Sequence, residues 1–195
     1  RNMESKQQFA TISEKRKEHK IASLYIRSVI TKKITIQFHN VGSNLSETLE
    51  EIIKSSIEGK CIVEGYVKPD STRIITYSAG MLLSNDVQFD VVFECHICYP
   101  VEGMLLNCTV KNVNKAGIKA ESTDNTPSPV VVFIARDHSY SNSLLADLKE
   151  GDKFVARVIG QRFELNDPNI SIIADIVNQH NKEKQEKQVK LIIKD

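Results

Sequence analysis

Across 195 residues no apolar run approaches the ~18 residues that a membrane-crossing helix needs. The first residues are polar and charged, so no secretory apolar region is expected there. Cysteine is scarce. Cys61, Cys95, Cys98 and Cys108 are too few and too unevenly spaced for a disulfide scaffold, and reduced, partly buried thiols point to an intracellular compartment. The chain has no G-x-S-x-G elbow, no Walker loop and no G-x-G-x-x-G, which removes the usual signals for nucleophilic hydrolysis and for nucleotide phosphates. Asp137-His138-Ser139 is a loop triplet, and adjacent residues rarely converge on one reacting atom. No catalytic centre is expected.

An excess of one charge sign is also missing. The formal net charge is only +1, whereas a dedicated nucleic-acid binder usually carries a strongly basic domain. The charge is nonetheless uneven. Residues 1–33 hold nine Lys/Arg against three acids, residues 34–100 four against nine, and residues 101–177 eight against ten. Contact of this chain with nucleic acid is therefore expected to be local and weak, unless a larger assembly supplies the field.

What is present suits a globular chain: 41% hydrophobic and 26% charged residues are enough for real cores. Residues 1–20 lack apolar periodicity and form a basic N-terminal arm. Ile34, Ile36 and Phe38 alternate with polar neighbours, the period of a half-buried strand. After the turn Val41-Gly42-Ser43-Asn44, the residues Leu45, Leu49, Ile52, Ile53 and Ile57 make one helical apolar stripe. Asn44 or Ser46 is placed to cap that helix and Gly59 to stop it. Strands are expected at Cys61–Val67, Arg73–Tyr77 and Val87–Tyr99. Beyond Tyr99-Pro100 come five short strands, at Met104–Asn112, Gly117–Glu121, Val130–Ile134, Lys153–Phe163 and Ile170–Ile176. A short helix, Ser141–Leu148, falls between the third and fourth. The expected fold is α+β: a helix-plus-antiparallel-sheet domain over 21–100, then a five-stranded OB-fold barrel over 101–177. A polar tail occupies 178–195.

Local motifs add a family resemblance. The stretches VGSNLSETLEEII and GKCIVEGYVKPDS resemble the helix entry and the segment after the helix in the stalk subunit of multisubunit DNA-directed RNA polymerases. In eukaryotic polymerase II this is the seventh subunit, and its archaeal counterpart is called E-prime. Pro100, Gly103, Val113, Asn114, Lys115 and Gly117 match the family's passage from tip domain to barrel, and KEGDKFVARVIGQRFELND resembles its fourth-strand signature. The similarity covers about residues 21–177. The basic arm and the Lys/Gln-rich tail look more like stalk subunits of large nucleocytoplasmic DNA viruses.

The resemblance implies a non-catalytic subunit that docks by its tip on the largest subunits of the polymerase core and guides nascent single-stranded RNA with its barrel. A second stalk subunit is left open. The implied location is the nucleus for a cellular protein, or a cytoplasmic viral factory or virion for a viral one, with no membrane. On the matching segment, Gly65, Tyr66, Val67, Lys68 and Pro69 would form the docking loop, with Tyr66 as its anchor. RNA contacts would come from Lys111, Lys115, Lys119, Phe133, Arg136 and Arg162. Only Phe133 keeps an aromatic where related barrels stack bases; Ala116 and Lys119 occupy the other equivalent positions. The rival reading is a free-standing single-stranded RNA-binding OB-fold protein, translation-factor-like. Cys95-x-x-Cys98 beside His96 invites a zinc site. A strand, however, sends Cys95 and His96 to opposite faces, with Cys98 on the face of His96. No metal and no cofactor are expected.

Overall fold

The computed structural model describes residues 23–135 and 148–177. The basic arm, the tail from 178, Arg136 and nearly all of the helix expected at Ser141–Leu148 lie outside them.

The first unit is organised around one long strand. β6 (Asp86–Cys98) places Val87, Phe89, Val91, Phe93, Cys95 and Ile97 on one face, all buried, as a period of two requires. β1 (Tyr25–Gln37) pairs antiparallel with it over its whole length, from Tyr25↔Cys98 to Gln37↔Asp86. The other side of β6 is shared end to end by β5 (Met81–Leu83), β4 (Arg73–Tyr77) and β3 (Gly65–Val67), with β2 (Cys61–Ile62) beyond β3. Helix α1 (Leu45–Ile57) lays Leu49, Ile53 and Ile57 on the inner face. Burial of each such side chain contributes roughly 1.5–3 kcal/mol before entropy is counted. Asn44 is the N-cap, without a side-chain cap bond, and Gly59 takes a positive φ of 70° as the chain leaves the helix.

Three details differ from the sequence reading. The run Cys61–Val67 is two short strands, because the chain reverses at Val63-Glu64. Phe38 leaves the alternation of β1: it starts a 3-10 turn, Phe38–Asn40, and is exposed. β5 carries three exposed residues and no alternation, so periodicity gave no sign of it.

The second unit is a closed barrel of β7 (Leu105–Val113), β8 (Gly117–Ser122), β9 (Val130–Ala135), β10 (Lys153–Arg162) and β11 (Ile170–Ile176). Around the barrel the order is β7-β8-β9-β11-β10 and back to β7. Only β9 and β11 run parallel; the other pairs are antiparallel. Five strands closed in this order make an OB fold.

The two units share a core. Across β2, β3, β6 and β1 the register aligns Cys61, Tyr66, Cys98 and Tyr25 in one row. This row packs into the same apolar cluster as the barrel residues Leu106, Cys108, Ile170 and Ile172. The loop after β10 reinforces the joint: Cys61 N–H donates to the Asp167 carbonyl at 2.8 Å and Asn166 N–H donates to the Cys61 carbonyl at 2.8 Å. Tyr99 meets Phe163 edge to face at 6.1 Å between centroids.

Candidate docking and nucleic-acid surfaces

The segment expected to dock is divided between interior and surface. β3 is covered on both faces: Val67 points into the core beneath α1, and Tyr66 points into the barrel-side cluster at 2% exposure. Gly65 is buried too. Its φ is 131°, and a Cβ there would lie 2.4 Å from the Cys98 carbonyl oxygen, so this position admits glycine alone. The reading of Tyr66 as an exposed docking anchor is therefore corrected. Its ring is a wedge between the two units, a role signalled by the unbroken apolar character of a strand buried on both sides. Lys68 is exposed and Pro69 half-buried. Lys68 Nζ sits 5.3 Å from the Tyr25 ring centroid. Its backbone N–H donates to the His96 carbonyl at 2.9 Å, and Ser71 Oγ donates to the Lys68 carbonyl at 2.6 Å. The Glu58 carboxylate accepts the N–H groups of Asp70 and Thr72. The segment is held by bonds within its own unit.

An exposed apolar surface lies elsewhere. β1 and β6 run together for thirteen residues, roughly 40 Å, and the barrel joins at the Tyr25/Cys98 end. At the far end Phe38 is 61% exposed and Leu82 65%, with Met81, Leu83 and Val41 exposed nearby. Phe38 N–H donates to the Asn85 carbonyl at 3.0 Å, tying the turn after β1 to the β5–β6 hairpin. Between them opens a cavity of about 480 Å³, lined by Gln37, Phe38, His39, Leu82, Ser84, Asn85 and Asp86. Sequence reasoning missed this site. Its one signal was the triplet Met81-Leu82-Leu83 between two turn clusters, apolar without a period.

The barrel brings together part of the expected RNA set. Lys119 and Phe133 are direct cross-strand neighbours on β8 and β9, both facing out. Lys115 is exposed in the β7–β8 turn, whose shape is fixed by Asn114 Oδ1 accepting from Ala116 and Gly117 N–H. Lys111 is engaged with Glu121 at 3.3 Å and Arg162 with Glu164 at 3.3 Å; both pairs are exposed and worth little. Arg136 falls outside the described residues.

The cysteines separate. Cys95 lies in the core beneath α1 and Cys98 in the barrel-side core, so successive faces of one strand send the two thiols to different clusters. Burial pushes the thiols of Cys61 and Cys95 up to about 11 and those of Cys98 and Cys108 up to about 12. They are hydrophobic packing groups whose neutral form burial favours. Burial also raises Tyr25 and Tyr66 above the ordinary phenol range, with neighbouring phenol and thiol groups as lesser causes. Among the described residues no helix is long and apolar enough to cross a membrane.

No family model matches the chain. Curated proteins do. A putative DNA-directed RNA polymerase subunit of Acanthamoeba polyphaga mimivirus is 24% identical over 172 residues, covering 80% of this chain and 83% of that protein. DNA-directed RNA polymerase II subunit 7 of Arabidopsis thaliana is 26% identical over 115 residues, covering 58% and 62%. Subunit RPB7 of the same enzyme from Glycine max is 25% identical over 126 residues, covering 64% and 65%. The chain thus spans just under two thirds of each of the two plant proteins and most of the viral one. Among solved structures, a chain of the a/eIF2alpha–aDim2p–rRNA complex from Pyrococcus horikoshii OT3 aligns at 29% identity with a TM-score of 0.33, over 47% of this chain and 54% of that one. By sequence, the chain is similar at low identity to the seventh subunit of plant DNA-directed RNA polymerase II and to a putative DNA-directed RNA polymerase subunit of mimivirus.

Proposed function

We propose that this chain is the non-catalytic stalk subunit of a DNA-directed RNA polymerase. In this reading its sheet unit docks on the largest subunits of the core and its barrel guides nascent RNA. The names of the curated relatives support the assignment to a polymerase. The observation that carries the division of labour is the apolar end formed by Phe38, Met81, Leu82 and Leu83, at the opposite end of the β1–β6 ladder from the barrel. An exposed apolar cluster beside an open cavity is costly to leave in water and suits a protein partner. Docking there points the barrel away from the core, where a transcript can pass. Lys68 and Pro69 flank the joint instead and contribute at most to its rim. The compartment follows the polymerase: the nucleus in a cell, a cytoplasmic factory or the virion for a virus of the mimivirus kind.

The test is co-purification with co-expressed largest subunits. Leu82→Asp should abolish or strongly reduce recovery in the polymerase while leaving the melting temperature nearly unchanged, since Leu82 is exposed in the free chain. Lys68→Glu should have little effect. Undiminished recovery of Leu82→Asp refutes docking through this end. A wild-type chain that binds RNA yet never joins a polymerase leaves the free-standing RNA-binding protein as the better reading.

A further inference from the structure

We infer that the cavity at the free end of the β1–β6 ladder is a socket for an arginine side chain of the polymerase core, its guanidinium stacked on Phe38 and paired with Asp86. This rests on the docking role proposed above and names what the docking end takes up. Three strand ends frame the socket. β1 ends at Gln37, which pairs with Asp86, the first residue of β6, and Asp86 pairs in turn with Leu83, the last of β5. The turn residues Phe38, His39, Ser84 and Asn85 complete the lining of the cavity of about 480 Å³. That size falls in the range of roughly 300–1,000 Å³ typical of pockets that admit a compact group. Phe38 is 61% exposed and Leu82 65%, so a ring face and an aliphatic surface stand open beside the polar groups.

The second observation is a set of acceptors without donors. Asp86 is half-buried and, among the described residues, forms no ion pair. Like Gln37, Ser84 and Asn85, it also has no side-chain hydrogen bond there. A carboxylate and three neutral oxygens thus line the cavity unclaimed. Charge selects the occupant. The elements that meet at this end come from residues 34–53 and 74–110, and neither stretch holds a Lys or Arg, whereas both hold acids, Glu47, Asp86 and Asp90 among them. On β1 the closest cation is Lys33, four residues from Gln37 and opposite Asp90, roughly 13 Å along the strand. Only His39 among the lining side chains can carry positive charge. The field at this end therefore favours a basic partner. Geometry then separates arginine from lysine. A guanidinium lies flat on an aromatic ring while its planar donors reach a carboxylate in pairs, whereas an ammonium is a point charge without that plane. One open ring beside one unpaired carboxylate and several neutral acceptors fits the planar cation.

The experiment titrates the co-expressed largest polymerase subunits with the purified full chain, using wild type, Asp86→Asn, Phe38→Leu, Leu82→Ser and Asp90→Asn, each with its melting temperature. All should melt close to wild type, because none of these side chains belongs to the core. Asp86→Asn should weaken association by at least about tenfold, as truncation of one partner of a charge pair does, and should flatten its salt dependence. Phe38→Leu keeps apolar area but removes the ring face, and should weaken association severalfold. Asp90→Asn, outside the cavity, should change it by less than about twofold. Footprinting of the core with phenylglyoxal for arginine and acetic anhydride for lysine identifies the occupant. A core arginine should be shielded by saturating wild type and reactive again in the complex with Asp86→Asn. If Leu82→Ser weakens association while Asp86→Asn and Phe38→Leu bind like wild type, the end docks by apolar contact alone; the inference fails and the docking role stands. If all four variants bind like wild type, both fail. If Asp86→Asn weakens association but the side chain it releases is a lysine, the socket takes an ammonium and the inference is overturned.

Discussion

Replacing Tyr66 by alanine tests the joint between the two units. The ring is 2% exposed and sits between Cys61 and Cys98 in the register row, against barrel residues. A buried aromatic removes roughly 150–250 Å² from water, worth about 4–6 kcal/mol at ~25 cal/mol/Å² as an upper bound. Truncations of buried aromatics cost about 3–5 kcal/mol once partial collapse of the cavity is included. At roughly 2–4 °C per kcal/mol for a chain of this size, Tyr66→Ala should melt about 6–20 °C below wild type. Position adds a second signature. Tyr66 joins the sheet unit to the barrel, so its loss should broaden or split the calorimetric transition that wild type is expected to show as one. Tyr66→Phe should retain most of the stability. Scanning calorimetry and urea unfolding of the three proteins decide the matter. If Tyr66→Ala lies within about 0.5 kcal/mol of wild type, the level of an ordinary surface substitution, the ring is not the wedge described here.

Gly65→Ala should lower stability by at least about 2 kcal/mol, because the added methyl would overlap the Cys98 carbonyl at a φ of 131°; a thermal melt reads it. Alkaline pH should destabilise the chain. Its four buried thiols have folded pKa values raised to about 11 or 12, while in the unfolded chain they ionise near ~8.5. The stabilisation is thus complete below that value and is lost as pH rises through the folded pKa values; urea midpoints should fall from about pH 9 upward, and less so in Cys108→Ala measured against its own neutral-pH value. Removing the exposed Arg27–Glu94 pair by Arg27→Ala should change stability by less than about 1 kcal/mol; a larger change in the urea midpoint means that the pair does more than a surface contact.

How much of this was legible depended on whether one face of an element stayed wet. α1 was readable because Leu49, Ile53 and Ile57 are buried while Glu47 and Glu51 are not, which imprints the helical period on the sequence. The five barrel strands were readable for the matching reason: inward Val130, Val132 and Ile134 alternate with half-exposed or exposed neighbours. β3 carries no alternation, since both its faces are covered. Tyr66 therefore looked like a residue in search of a partner, when its partner was the other half of the same chain. β5 was illegible for the opposite reason, with Met81, Leu82 and Leu83 all exposed.

The two misreadings have one cause. Composition cannot tell an apolar residue that has found its contact within the chain from one still waiting for a contact outside it. Tyr66 and Leu82 both follow turn-like segments and both resemble interface residues. Only the fold separates them, by sending β3 under the barrel and β5 to the free end of β6. The same distinction applies on the barrel, where Val132 and Phe133 are adjacent in sequence yet one is fully buried and the other open to solvent. Phe133 stands out in the sequence for its ring. Phe38 and Asp86 share a cavity only because the register sets the end of β1 against the start of β6. A surface that consists of neighbours on several strands is written in the pairing of those strands, and no window along the chain contains it.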